Sequence, residues 1–307
     1  MPIYKQSGAN LIPIKEQKIE LEKTVQQLVE DNVSDIFGLS FICSEYQLNR
    51  LRIDTLAFDE ESNSFVIIEY KRDRSFSVID QGYAYLALLL NNKADFILEY
   101  NERCQKNLRK DDVDWSQSRV IFVASSFTKY QQEAIGFQDL PIELWEVKQF
   151  EDNLILFNQL RASEKSESIK TVVKDKTAQA VSREIKQYSL NDHFQPHWVR
   201  TKDLFNTLSQ RILELDSRIE VNPTKNYIGF KIDNSNVVAL ITRASKLVLD
   251  LPRVQPKDLK DPEGKTKYVE GSFERWNKHL TKCDIENEED MDYAMTLIRQ
   301  VYKKFFA

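Results

Sequence analysis

Cysteine and histidine are scarce in this chain, with three of each in 307 residues. Cys43, Cys104 and Cys283 are scattered, so they form neither a disulfide framework nor a zinc-ligand spacing. His193 and His197 share an i, i+4 spacing, but Pro196 between them argues against a metal-binding helix. Long apolar runs are missing too: no stretch approaches the ~18 uninterrupted apolar residues of a membrane span. No leader pattern is read at the N-terminus, so a cytoplasmic protein with no membrane partner is expected. Positive charge is in deficit. Lys and Arg number 43 against 48 Asp and Glu, a net charge of −5, whereas a protein that coats duplex DNA is usually basic. Any contact with nucleic acid must use a local basic patch, or metal ions that cancel charge at the contact itself. No internal repeat and no low-complexity tract is present.

What is there is ordinary globular material, 41% hydrophobic and 30% charged. Single cores stop growing near ~250–300 residues, so the length predicts two domains. Residues 1–16 read as irregular, bracketed by Pro2 and Pro13. A helical stripe then runs from Lys18 to Ile36 (Leu21, Val25, Leu28, Val29) and Gly38 ends it. Three strands are predicted at Phe41–Leu48, Leu51–Phe58 and Phe65–Tyr70, and the polar cluster DEESNS turns the chain between the last two. A second helix follows at Phe76–Leu90. Ala94–Tyr100 reads as a strand, and so does RVIFVAS (119–125). TKYQQEAIGF looks helical, and IELWEVKQF with NLILFNQL looks like a closing strand pair. Residues 161–192 are charged and aromatic-poor, a linker with some helical character. An α+β domain then occupies 193–307, opening on an amphipathic helix through Leu204, Phe205, Leu208, Ile212 and Leu215.

Two acids interrupt the most apolar part of the chain, Asp54 and Glu69. If the hairpin turns between Glu61 and Ser62, opposed residues have numbers summing to 123. Phe58 then meets Phe65, Leu56 meets Ile67, Asp54 meets Glu69 and, just past the strand, Arg52 meets Lys71, all on one face. The plainer alternative is a pair of strand-end acids matched with Arg52 and Lys71 at the sheet's rim. Directly opposed Cβ atoms lie roughly 4.5–5.5 Å apart. Two carboxylates so close repel each other unless they share a proton, gain a Lys or Arg neighbour, or hold a divalent ion. Hard oxygen ligands at this separation suit Mg²⁺ or Mn²⁺. The other face of the pair is largely apolar as well, so helices must cover both sides, which predicts a three-layer α/β core.

RIDTLAFD and VIIEYKR, followed by VIDQGYAYLALL, resemble the PD-(D/E)XK nuclease superfamily, and more narrowly its RecB-like members. In that pattern an acid on the second core strand precedes E-x-K on the third, and a helix carries Q-x-x-x-Y. This chain supplies Asp54, Glu69-Tyr70-Lys71, Gln81 and Tyr85; Ile53 stands where the family often has proline. The resemblance covers about residues 17–160. It implies a restriction-endonuclease-like α/β core (αβββαβ, mixed sheet) in residues 1–160, with the smaller α+β domain behind it.

It also implies Mg²⁺ (or Mn²⁺) held by Asp54, Glu69 and the Tyr70 backbone carbonyl, and phosphodiester hydrolysis in DNA as the activity. Lys71 would orient the attacking water or stabilise the developing oxyanion, and Gln81 would position that water or a phosphate. Arg72 and Arg74 would clamp flanking phosphates, with RCQKNLRK (103–110) as the other basic segment, and Tyr85 borders the nucleic-acid side. The family tends to place an acid on the first core helix. Glu22 borders the buried stripe and takes that position, whereas Glu30 is expected to point further away.

The other reading is a non-catalytic nucleic-acid-binding or assembly module that keeps the nuclease fold; the acidic balance favours it, while the complete set of site residues opposes it. The C-terminal domain resembles an uncharacterised bacterial domain that recurs behind such cores. Substrate or partner recognition is expected of it, with a homodimer or a protein partner left open. Lys225, Tyr227 and Arg243 fall near its strand ends, and Tyr268, Phe273 and Trp276 suit a small core better than a base-stacking platform.

Overall fold

The alternating apolar run between Leu51 and Lys71 folds as two adjacent strands in the computed structural model, which describes residues 2–17, 22–71, 77–135, 140–160, 176–185, 188–276 and 278–307. The chain divides into two units. Residues 1–59, 64–105 and 109–186 make the first; residues 60–63, 106–108 and 187–307 make the second.

The first unit begins with strands β1 (Ile3–Ser7), β2 (Asn10–Ile14) and β3 (Glu16–Gln17), then helices α1 (Glu22–Asp31) and α2 (Val33–Phe37). Strands β4 (Ser40–Leu48), β5 (Leu51–Asp59) and β6 (Ser64–Lys71) follow, then helices α3 (Val78–Asn91) and α4 (Lys93–Cys104). The unit continues with β7 (Arg119–Ala124), α5 (Lys129–Ala134), β8 (Ile142–Phe150), β9 (Ile155–Leu160) and α6 (Lys176–Glu184). The main sheet runs β3-β8-β7-β6-β5-β4, with β9 on β8. β5 runs antiparallel to both β4 and β6, while β6, β7 and β8 are parallel, so the sheet is mixed.

Both faces are covered, as two apolar sides demand. On one, Val25, Val29, Val33 and Phe37 from α1 and α2 pack against Ala57, Val66, Ile68, Ile121 and Val123. On the other, Phe58 and Phe65 meet Phe96 and Tyr100 of α4 edge-on or tilted. Helix α3 starts where Ser77 accepts the Asp80 N–H. It then presses close to the sheet at Gly82, where a Cβ would stand 2.4 Å from Ile142 Cδ1. The order α1-β4-β5-β6-α3-β7 is αβββαβ, and the core is restriction-endonuclease-like.

The second unit carries helices α7 (Val199–Leu213), α8 (Ser272–Trp276) and α9 (Glu288–Phe305). Its strands are β10 (Glu220–Pro223), β11 (Ile228–Ile232), β12 (Ser235–Thr242), β13 (Leu247–Pro252), β14 (Thr266–Tyr268) and β15 (Leu280–Ile285). They form an antiparallel sheet in the order β10-β11-β12-β13-β15-β14. Leu204, Phe205, Leu208 and Ile212 of α7 and Met291, Met295 and Ile298 of α9 share a core with Phe230, Leu240 and Leu249. The α+β reading of this region and its opening amphipathic helix agree with the structure. Among the described residues, no helix is long and apolar enough to cross a membrane.

Four readings of the sequence change. Residues 93–104 are helix, not strand: Phe96 and Tyr100, four apart, are buried, while Leu98, which an alternating strand would have buried beside them, is exposed. The first helix breaks at Asn32, whose side chain bonds the Leu28 carbonyl, although the buried stripe continues through Val33 and Phe37. Residues 3–14 form a hairpin instead of irregular chain; only Ile3 and Ile14 are even partly covered, so no alternation marked it. Finally, part of the expected linker is α6, packed beside α3 in the first unit, while 161–175 lie outside the described residues.

Candidate active site

The β5–β6 ladder pairs Thr55 with Ile68, Leu56 with Ile67, Phe58 with Phe65 and Asp59 with Ser64, the register that sums to 123. It stops at Thr55–Ile68, one step short of Asp54 and Glu69. There a side chain takes over from the backbone: Asp54 Oδ2 accepts the Tyr70 N–H at 3.1 Å. A strand residue's N–H and C=O leave on the same side, so the Tyr70 carbonyl faces β5 as well.

Asp54 and Glu69 are 8% and 4% exposed, too buried for acids at a solvated sheet rim. Glu69 Oε1 accepts Lys71 Nζ at 2.8 Å and Gln81 Nε2 at 3.2 Å. Among the described residues, buried Glu69 Oε2 has no hydrogen-bond partner. Gln81 Nε2 also reaches the Tyr85 hydroxyl at 3.3 Å, and that hydroxyl donates to the Arg52 carbonyl at 3.0 Å. Gln81 and Tyr85 are i, i+4 neighbours on α3, so one helical turn presents both to the end of the ladder. Asp54, Glu69, Lys71, Gln81 and Tyr85 are thus brought together, from two strands and one helix.

The electrostatics follow from burial. Desolvation pushes the Asp54 carboxyl above the ordinary carboxylate range, against the Tyr70 N–H and the Lys71 charge. Desolvation raises Glu69 too, the Asp54 charge adds to it, and Lys71 opposes both. The phenol of Tyr85 is pushed up by burial and by the Glu69 charge. Two acids share a site that disfavours their ionisation, with one ammonium to offset them.

A divalent ion fits this donor set. An acceptor oxygen buried without a donor, Glu69 Oε2, is a group that calls for a cation. Among the described residues, no cluster of three or more His, Cys, Asp or Glu could hold a metal. Two carboxylates and a carbonyl, Asp54, Glu69 and Tyr70, suit Mg²⁺, which keeps several waters and commonly takes one or two carboxylates plus substrate phosphate.

Sequence reasoning missed the support on the opposite face. Glu30 of α1 does not point away: its Oε1 accepts the Thr55 hydroxyl at 2.6 Å and Gln26 Nε2 at 2.9 Å. Thr55 Oγ1 lies 3.2 Å from the Tyr70 hydroxyl, and Gln26 Nε2 donates to the Asp54 carbonyl at 3.2 Å. The signal available was a Thr and a Tyr beside the two acids, hydroxyls placed in apolar strands. Glu45 and Arg52 were missed as a pair, joined at 2.9 Å. The Glu22 side chain, Arg72 and Arg74 fall outside the described residues, as does the Trp276 side chain. Arg103 is engaged by Glu99 of its own helix. In the second unit Tyr268 bonds His279 at 2.9 Å; Phe273 is exposed and stacks on that ring, so it does not fill the core.

The fold is a mixed-sheet, restriction-endonuclease-like α/β core followed in the chain by an antiparallel-sheet domain. The chain is 41% identical over 305 residues to an uncharacterised protein of Haemophilus influenzae, covering 99% of this chain and 100% of that one. It belongs to the family of that protein. Residues 192–304 match the family model described as a domain of unknown function, DUF5655. Among solved structures, a repair endonuclease from Pyrococcus abyssi is 20% identical over 43% of this chain and 50% of its own, with a TM-score of 0.24. EndoMS in complex with double-stranded DNA is 18% identical over 44% and 50%, with a TM-score of 0.25. The Pyrococcus furiosus SfsA–Ca²⁺ structure is 13% identical over 53% and 76%, also at 0.25. The chain therefore spans about half the length of the two endonucleases, and the element order and register above define its fold independently.

Proposed function

We propose that this protein is a metal-dependent nuclease that hydrolyses phosphodiester bonds in DNA, with the second unit choosing the target. The observation that carries the reading is the buried, unpartnered Glu69 Oε2 at the end of the β5–β6 ladder, beside Asp54, Lys71 and Gln81. The Gln81–Tyr85 pair on α3 supports the RecB-like subgroup.

Asp54, Glu69 and the Tyr70 carbonyl would hold Mg²⁺ or Mn²⁺, which when bound lowers the pKa of a water and offsets charge on the phosphate. The remaining work belongs to the chain's own groups. Lys71, held by Glu69 Oε1, presents a compact cation to the oxyanion that develops at the phosphate. Gln81 gives its two amide hydrogens to Glu69 Oε1 and the Tyr85 hydroxyl, so the group it would turn to the attacking water is its carbonyl oxygen, an acceptor. The Tyr70 N–H fixes the Asp54 carboxylate, so the donor set stands ready before substrate arrives.

The test is a cleavage panel of single-stranded, duplex, branched and mismatched DNA with purified protein and Mn²⁺, run beside Asp54→Ala, Glu69→Ala and Lys71→Ala. Metal-dependent cleavage by the wild type that all three variants lose supports the reading. Cleavage retained in all three, or a melting temperature that ignores Mn²⁺, favours the non-catalytic module instead.

A further inference from the structure

Arg52 stands beside the site in an unusual setting. It precedes Asp54 by two residues on β5, so both side chains leave the same face, about 6.8 Å apart along the strand. Its backbone is tied into the site through the Arg52 carbonyl, which accepts the Tyr85 hydroxyl that also meets Gln81. Its side chain is not tied in. The Arg52 side chain is 65% exposed and its guanidinium pairs at 2.9 Å with Glu45, whose side chain is 44% exposed.

Glu45 lies on the edge strand β4 with a positive φ of 54°. The β4–β5 ladder pairs Ser44 with Thr55 and Tyr46 with Ile53 but skips Glu45, the residue that by count faces Asp54. A non-glycine residue in the left-handed region is uncommon, and it turns this acid out of the ladder toward Arg52. Gln26 Nε2 approaches Glu45 Oε1 at 3.4 Å from the same α1 turn that braces Thr55 and Asp54. Glu45 also adds to the negative charge felt by Asp54, while Arg52 relieves it.

We propose that Arg52 is a phosphate-binding residue of this site, masked by Glu45 until a DNA backbone displaces it. The inference rests on the nuclease reading and deepens it. An anionic backbone approaching Asp54, Glu69 and Glu45 meets repulsion, and Lys71 is already committed to Glu69. Among the described residues of β5 and β6, Arg52 is a cation exposed on that face. Its guanidinium forms bidentate bonds with a phosphate as well as with a carboxylate. An exposed ion pair contributes little to stability, so exchanging Glu45 for phosphate costs little.

The experiment measures anisotropy of a fluorescein-labelled DNA duplex, with Ca²⁺ replacing Mg²⁺, across a salt series. Arg52→Ala is expected to weaken binding about tenfold and to lower the slope of log K against log salt by about one. Glu45→Gln is expected to tighten binding by unmasking Arg52. The double variant is expected to bind like Arg52→Ala alone, because Glu45 acts only through the guanidinium. Unchanged binding in Arg52→Ala, or single effects that add in the double variant, overturns the proposal. A Mn²⁺ titration of the same proteins by calorimetry separates this outcome from the parent reading. Protein that takes up Mn²⁺ but shows no Arg52-dependent DNA binding loses the Arg52 assignment and keeps the metal site. Protein that binds DNA through Arg52 without taking up Mn²⁺ does the reverse.

Discussion

Asp54 accepts the backbone N–H of Tyr70 at 3.1 Å, in the step where the β5–β6 ladder would otherwise have continued. That bond puts a carboxylate among strands and leaves it little exposed, beside a second acid that has its own unpartnered oxygen. Asp54→Asn keeps an acceptor for Tyr70 and removes one of two like charges. Without metal the variant should melt a few degrees higher than wild type, at about 2–4 °C per kcal/mol for a domain of this size. With Mn²⁺ the order should reverse, because only the wild type gains stability from the ion. Differential scanning calorimetry at neutral pH, with and without Mn²⁺, checks both signs.

Gln81 and Tyr85 should separate kinetically. Tyr85→Phe deletes a hydroxyl that bridges Gln81 to the Arg52 carbonyl, at a cost of about 1 kcal/mol in stability and a small loss of rate. Gln81→Ala removes a donor to Glu69 and the carbonyl that would accept from the attacking water; kcat should fall about 10²-fold with KM nearly unchanged. Single-turnover cleavage with saturating Mn²⁺ reads the difference. Equal losses in the two variants would mean that the pair acts only as packing.

How much of this could be read from residues alone depends on range. The hairpin register was legible because a period of two fixes which side chains share a face, and DEESNS supplies one turn centre. Gln81 and Tyr85 were legible as a helical i, i+4 pair. Helix α4 was not, because its apolar residues also alternate, and only the exposure of Leu98 in the folded chain decides between the two periods. Arg52 was legible on the face of the two acids, but its pairing with Glu45 was not, nor were Glu30 and Gln26, because these contacts depend on how α1 and β4 lie against β5. Glu30 meets Thr55 across 25 positions and Gln26 meets Asp54 across 28, distances over which a single sequence carries no pairing signal.

At the far end of the sheet Arg119 of β7 ties the end of β5 to the adjacent strand β8. It donates to Asp59 at 2.9 Å and pairs with Glu143 at 2.7 Å, while Glu143 also accepts Trp145 and Gln159. Arg119→Met leaves two poorly exposed carboxylates without their cation, and should destabilise the first unit by about 3–5 kcal/mol in urea unfolding. Asp59 lies five residues from Asp54, about 17 Å along β5. The protein that remains folded should therefore cleave at the wild-type rate, which distinguishes a structural tie from a site residue.

The second unit offers a pH test of its own. Asp250 on β13 pairs in register with Lys282 on β15, and Lys282 Nζ stands 3.4 Å from its Oδ1. Burial nonetheless wins over the nearby Lys282, Lys278 and Arg243 and pushes this carboxyl up to about 6. An acid whose folded pKa is raised holds its proton more firmly when folded. Between the ordinary carboxylate value near 4 and about 6, stability from this group therefore falls as pH rises, then stays level above 6. Asp250→Asn cannot ionise, so it should gain stability over wild type progressively from pH 4 to 6, by at most about 3 kcal/mol, and keep that gain at neutral pH. Urea midpoints of the two proteins at half-unit pH steps measure the difference directly. A difference that stays flat across that window would mean that Lys282 holds Asp250 ionised throughout.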